Sequence, residues 1–87
     1  MGEMTAKLVF LGRLEELAGT DSMSIDVPLG WAALLAHLEE HYTPDLVETV
    51  AGVRVKVALN GALIAEKGGV VLADGDELAF LPPVSGG

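Results

Sequence analysis

Trp31-Ala-Ala-Leu-Leu-Ala-His-Leu-Glu-Glu-His-Tyr42 is the stretch on which the fold turns. Its large apolar residues fall at 31, 34, 35, 38 and 42, the i, i+3, i+4, i+7, i+11 spacing of a helix. At about 100° per residue they cover a sector of roughly 100°, enough to bury one face. That face needs a sheet to lie on, and short apolar runs flank the helix. Lys7-Leu-Val-Phe-Leu11 is nearly continuous, as expected of a central strand buried on both faces. Met23 to Val27 alternates apolar and polar residues, the pattern of a half-buried strand, before Pro28-Leu-Gly30 breaks it. Val53-Arg-Val-Lys-Val57 alternates strictly, and Ala58 and Leu59 lead into Asn60-Gly61. An Asn-Gly pair between apolar runs predicts a hairpin, because both positions tolerate positive φ, and Leu63 and Ile64 begin the returning strand. Glu77 to Leu81 is the final strand, stopped by Pro82-Pro83, neither of which can donate to a ladder.

Shorter signals fill the gaps. Glu15 to Ala18 predicts a turn or two of helix closed by Gly19, and Asp45 to Ala51 a second short helix closed by Gly52. Gly68-Gly69 and Asp74-Gly75-Asp76 read as turns. The order β, short α, β, α, short α, β, β, β defines an α+β domain, a mixed sheet of about five strands packed on one main helix. Residues 1–81 form that domain and residues 82–87 an extended, flexible C-terminal arm. The two apolar runs at opposite ends, Lys7–Leu11 and Glu77–Leu81, are expected to be parallel neighbours under the helix, since the intervening chain supplies the crossover.

Composition limits the function. The chain has 87 residues, 51% hydrophobic and 21% charged, as in a small folded domain. It has no cysteine, which excludes disulfides, iron–sulfur clusters, thiolate zinc sites and a cysteine nucleophile. A formal net charge of −8 repels nucleic acid and suits a basic protein surface. The first ten residues lack the basic-then-apolar order of a signal peptide. The longest charge-free stretch, Val27 to Leu38, contains Pro28, Gly30 and His37 and falls short of the roughly 20 apolar residues of a membrane span. The expectation is a cytoplasmic protein with neither nucleic acid nor membrane as partner.

Nothing inside the domain reads as catalytic. His37 and His41 have the i, i+4 spacing of a zincin helix, but Leu38 stands where that motif has its glutamate, and no third ligand is suggested nearby. A solvated helix face is the reading, and no metal site is expected. Asp74-Gly75-Asp76 lacks the further ligands of a calcium loop. Gly68-Gly69 lacks the Lys-Ser/Thr of a phosphate loop, and Ser22, Ser24 and Ser85 sit in no nucleophile elbow. The C-terminus differs. Leu78-Ala-Phe-Leu-Pro-Pro-Val-Ser-Gly-Gly87 carries no charged side chain in an otherwise acidic protein. Extended, the six residues from Pro82 reach about 20 Å beyond the sheet. Gly86 and Gly87 present no Cβ to a narrow tunnel, so a terminal carboxylate can be delivered deep into another protein.

The run Asp74-Gly-Asp-Glu-Leu-Ala-Phe-Leu-Pro-Pro-Val-Ser-Gly-Gly87 closely resembles the C-terminus of the molybdopterin synthase small-subunit family. Val55-Lys-Val-Ala-Leu-Asn60 resembles that family's middle strand, and Val9 to Asp21 its first strand and helix. The resemblance departs at Glu15-Glu16-Leu17, where relatives commonly have Arg-Glu-Leu, and at Leu11 and Leu81, often aromatic in relatives. It implies a ubiquitin-like β-grasp fold and a non-catalytic sulfur carrier in molybdenum cofactor biosynthesis. By that resemblance, Gly87 carries the chemistry and Gly86 lets it through. A ubiquitin-activating-type adenylating enzyme spends ATP on the terminal carboxylate, and sulfur replaces AMP to leave a thiocarboxylate. The carrier joins the synthase large subunit in a heterotetramer and gives sulfur to a pterin precursor. No cofactor is expected on this chain itself. Leu11, Leu59, Phe80, Leu81, Pro82, Pro83 and Val84 are expected to form the apolar patch that docks on both partners, ringed by acidic residues that steer a basic rim. The same arm also suits sulfur delivery to thiamine or transfer RNA, or attachment to lysines as a ubiquitin-like modifier.

Overall fold

The computed structural model describes residues 4–83. Five strands form one sheet: β1 (Thr5–Phe10), β2 (Ser22–Asp26), β4 (Lys56–Leu59), β5 (Ala62–Ile64) and β7 (Glu77–Leu81), in the order β2-β1-β7-β4-β5. β1 and β7 are parallel neighbours, Lys7 opposite Glu77 and Phe10 opposite Phe80, and every other pairing in the sheet is antiparallel. The expected pairing of the two end runs therefore holds. The Asn60-Gly61 hairpin is also present, with φ of 51° and 87° at its two residues.

Two helices and a short one cover a single face: α1 (Arg13–Ala18), α2 (Trp31–His41) and α3 (Pro44–Ala51). In α2 the predicted stripe does the packing. Leu34 and Leu38 are fully buried, and Trp31, Leu35 and Tyr42 lie half-buried against the core. α3 starts where Thr43 accepts the Leu46 N–H on its hydroxyl and Pro44 occupies the first turn, a cap worth about 1 kcal/mol. From the sheet, Leu8, Phe10, Val57, Leu78 and Phe80 project into this core, and each contributes about 1.5–3 kcal/mol by leaving water. Among the described residues no polar or charged side chain is buried.

Three local expectations need correcting. β1 is buried on one face only: Ala6, Leu8 and Phe10 are inside, while Lys7 is exposed and Val9 half-buried. The alternation Val53–Val57 becomes strand only from Lys56, and Val53 is 86% exposed. The reason lies in Lys67, whose ammonium donates to the carbonyls of Val50 (2.8 Å), Gly52 and Val55 (2.7 Å). Those carbonyls close the end of α3 into a loop before the strand starts. Burial, and secondarily the charge of Lys56, lowers the Lys67 pKa below its usual value. Finally, Leu29–Gly30 (β3) pairs with Val71–Leu72 (β6) in a small second sheet where the sequence reading had only a break and a loop. Gly68-Gly69 lies in a 3₁₀ turn, Lys67–Gly69.

Candidate functional site at the exit of the last strand

Strand alternation decides what the site can be. In β7, Leu78 and Phe80 face the helices, so Glu77, Ala79 and Leu81 face the other way, onto the uncovered side of the sheet. Register extends that face across the neighbours. Val9 lies opposite Ala79, Ala79 opposite Ala58, and Ala58 opposite Leu63, which is 70% exposed. Leu81 is half-buried and stands opposite Lys56. Leu11, 39% exposed, continues β1 beside it, its N–H donating to the Phe80 carbonyl at 3.3 Å. An apolar strip thus runs from the last strand's exit to the β5 edge, flat in the middle because Ala58 and Ala79 are small.

Two residues expected in the docking patch do not belong there. Phe80 is fully buried, stacked on Phe10 at 5.4 Å and tilted against Trp31 at 6.4 Å. Leu59 lies opposite Leu78 and packs against the core, so it faces the helices and not Leu81. A charge-free run does not encode a face, whereas its alternation does. Leu11, Leu81, Pro82 and the exposed Pro83 come together at the exit. Val84, Gly86 and Gly87 lie outside the described residues. The residues missed are Val9, Ala58, Leu63 and Ala79. Their signal was available: a two-residue hairpin at Asn60-Gly61 fixes Ala58 against Leu63, and Ala79 is two residues from Leu81.

Phe80 has a different job. Phe10, Phe80, Trp31 and Tyr42, all four aromatic residues of the chain, form one cluster under the exit, with Tyr42 edge-on to Phe10 at 6.0 Å. Each aromatic pair adds about 0.5–1.5 kcal/mol beyond burial, so the strand that launches the arm stands on a stiff floor.

The charges around the face also differ from expectation. Beside Leu81 stands Lys56, and Lys7 lies opposite Glu77. Many carboxylates ride instead on the helices, at Glu15, Glu16, Glu39, Glu40, Asp45 and Glu48. His37 and His41 place their rings 4.3 Å apart on α2, away from the site. Among the described residues no group of three or more His, Cys, Asp or Glu gathers that could hold a metal, and no helix is long and apolar enough to cross a membrane.

At its far end β7 is tied down by polar groups. Asn60 donates from its side chain to Asp76 (3.0 Å), accepts the Glu77 N–H (2.9 Å) and donates its own N–H to the Glu77 carbonyl (2.8 Å). Asp76 also accepts the Ala73 N–H, while Asp74 accepts the Thr5 N–H, both at 2.9 Å. The Asn60 amide, and after it the Ala73 N–H, hold the Asp76 carboxyl below its ordinary pKa.

A mixed five-stranded sheet with parallel end strands gripping one main helix is the ubiquitin-like β-grasp fold. Within that class the chain belongs to the ThiS family, whose model matches residues 8–87. A relative from Dictyostelium discoideum, the molybdopterin synthase sulfur carrier subunit, is 30% identical over 83 residues, covering 93% of this chain and 94% of the relative. The crystal structure of SAMP1 from Haloferax volcanii aligns with a TM-score of 0.72 and 32% identity over 95% of this chain and 99% of that one. A chain of the complex of subunits 1 and 2 of molybdopterin-converting factor from Helicobacter pylori aligns with a TM-score of 0.68 and 30% identity, over 97% and 100%.

Proposed function

We propose that this protein is a sulfur carrier in molybdopterin synthesis, with Gly87 as the atom-bearing end and the open sheet face as its dock. The observation that carries the reading is the apolar strip Val9–Ala79–Ala58–Leu63, continuous with Leu81 and the Pro82-Pro83 exit, on a ThiS-family body. The Dictyostelium relative's name and the two-subunit Helicobacter complex support a large-subunit partner.

A carboxylate is a poor acyl donor. An adenylating enzyme joins it to the α-phosphate of ATP, releasing pyrophosphate, and a sulfur nucleophile then displaces AMP to leave the terminal thiocarboxylate. Attack of that sulfur on the pterin precursor, followed by hydrolysis of the acyl–sulfur bond, returns the carboxylate. None of these steps requires an acid, base or metal from this chain, which supplies docking and position. The partners supply the catalysis, which makes the chain a non-catalytic subunit.

The test is intact-protein mass spectrometry after incubation with the adenylating enzyme, ATP and a sulfur donor. A mass gain equal to one oxygen exchanged for one sulfur, mapping to Gly87, is expected. Deleting Gly87 should abolish the gain and leave the melting temperature unchanged. A gain mapping elsewhere, or full activity after the deletion, defeats the reading. The likeness to SAMP1, a small archaeal modifier protein by name, favours one second reading, attachment of Gly87 to lysines of other proteins. Isopeptide-linked adducts in place of thiocarboxylate would establish it.

A further inference from the structure

We propose that Gly12 is a positioning residue for the C-terminal arm, a flat seat against which Pro82 sets the direction in which the chain leaves the sheet. The inference rests on the sulfur-carrier reading and goes beyond it, because it concerns how the terminus is aimed and not what the terminus carries. Gly12 sits between β1 and α1 with φ 55° and ψ −130°, a backbone conformation open to glycine and very costly for any other residue. A Cβ at Gly12 would come within 3.0 Å of Cγ of Pro82 and 4.0 Å of its Cδ. The turn therefore closes onto the proline ring with no room between them.

The surroundings make that contact directional. Immediately before it the Leu11 N–H donates to the Phe80 carbonyl, which extends the parallel ladder one residue past β1. Under it, Phe80 is locked between Phe10 and Trp31. Pro82 fixes its own φ near −65°. The exit thus has a fixed floor, a fixed side wall and a fixed first torsion. A partner that grips the open face meets the chain where it leaves the sheet, so the direction set at Pro82 decides where the arm enters that partner. Misplacement by about 1 Å can cost on the order of 100-fold in rate. Docking itself rests on Val9, Leu63 and Leu81, which Gly12 does not touch in this way.

Exchange of pyrophosphate into ATP by the adenylating enzyme tests this, with the carrier as varied substrate. For Gly12→Ala we expect KM for the carrier within about threefold of wild type and kcat lower by about tenfold or more. Pro82→Ala, at the edge of the dock, should show the same fall in kcat. The double variant should be no worse than Gly12→Ala alone, because both changes break one contact. Pro82→Gly keeps the test open if Gly12→Ala fails to fold, since it adds no backbone strain at the turn. A purely structural role would lower the melting temperature and leave both kinetic parameters of the folded protein alone. Unchanged kcat, or a rise confined to KM, overturns the brace, while exchange by wild type leaves adenylation of the terminus, on which the carrier reading depends, standing. No exchange with wild type removes both.

Discussion

The two ends of β7 are four residues apart and are built on opposite principles. At the Glu77 end, side-chain and backbone hydrogen bonds from Asn60, Asp74 and Asp76 join the hairpin tip, the preceding turn and β1. At the Leu81 end, the backbone ladders to β1 and β4 and a stack of aromatic rings hold the strand, and the outer surface is mostly apolar beside Lys56. The run Asp74-Gly-Asp-Glu…Pro-Pro-Val-Ser-Gly-Gly87, read as one motif, therefore divides. Its first half secures the sheet, and its second half begins at the apolar exit.

Breaking the outward end should produce the largest effect. Leu81→Asp puts a charge in the centre of the proposed dock, and binding to the large subunit, measured by calorimetry, should weaken by roughly 100-fold or more. The melting temperature should shift by only a few degrees, because Leu81 faces outward and Phe80 keeps its place. Unimpaired binding would mean the strip is not the dock. Breaking the inward end should do the reverse. Asn60→Ala removes two side-chain hydrogen bonds and puts alanine at φ 51°, so stability should fall by about 1–2 kcal/mol in a denaturant titration. Affinity for the large subunit should not change. If affinity falls as far as stability, the two ends are not separable.

The smallest effect sharpens the same contrast. Asp76 is held charged by its hydrogen bonds, so its folded pKa lies below the unfolded value of 3.8. Such a group stabilises the fold above the unfolded pKa, and the contribution is lost as pH falls through the folded one. Thermal melts of wild type should therefore lose stability below about pH 4 more steeply than those of Asp76→Asn. Equal slopes would mean that the carboxylate's charge plays no part at that end.

Much of this was legible in the sequence, and the rest was missing for physical reasons. The helix stripe from Trp31, the Asn60-Gly61 hairpin and the parallel end strands follow from periodicity and turn chemistry alone. The β3–β6 pair does not, because two residues per strand are too few to show a period. The late start of β4 depends on Lys67, a residue 12 positions after Val55 whose ammonium reaches back to it, and no local pattern announces that. At the site, the uncharged run picks out Leu81 but wrongly adds Phe80, and Leu59, expected near it, lies on the other face. Alternation alone removes Phe80 once Leu81 is taken as outward. Gly12 carried no sequence signal, since its role depends on Pro82, a neighbour only in the folded sheet.

Parallel pairing of the first and last strands of the sheet also has a consequence in time. The Thr5 N–H donates to Asp74, in a turn 69 positions later, and the centre of the sheet stays open until Glu77–Leu81 has emerged. Loop closure over that distance must precede any pairing of β1 with β7, which makes the sheet a late and cooperative event. During synthesis β1 can meet β2 and β4 can meet β5, but these two halves have nothing to join them until β7 is made. The open face that carries Leu81 is therefore complete only once that last strand is paired, and a chain cut short of it lacks both the strand and its face.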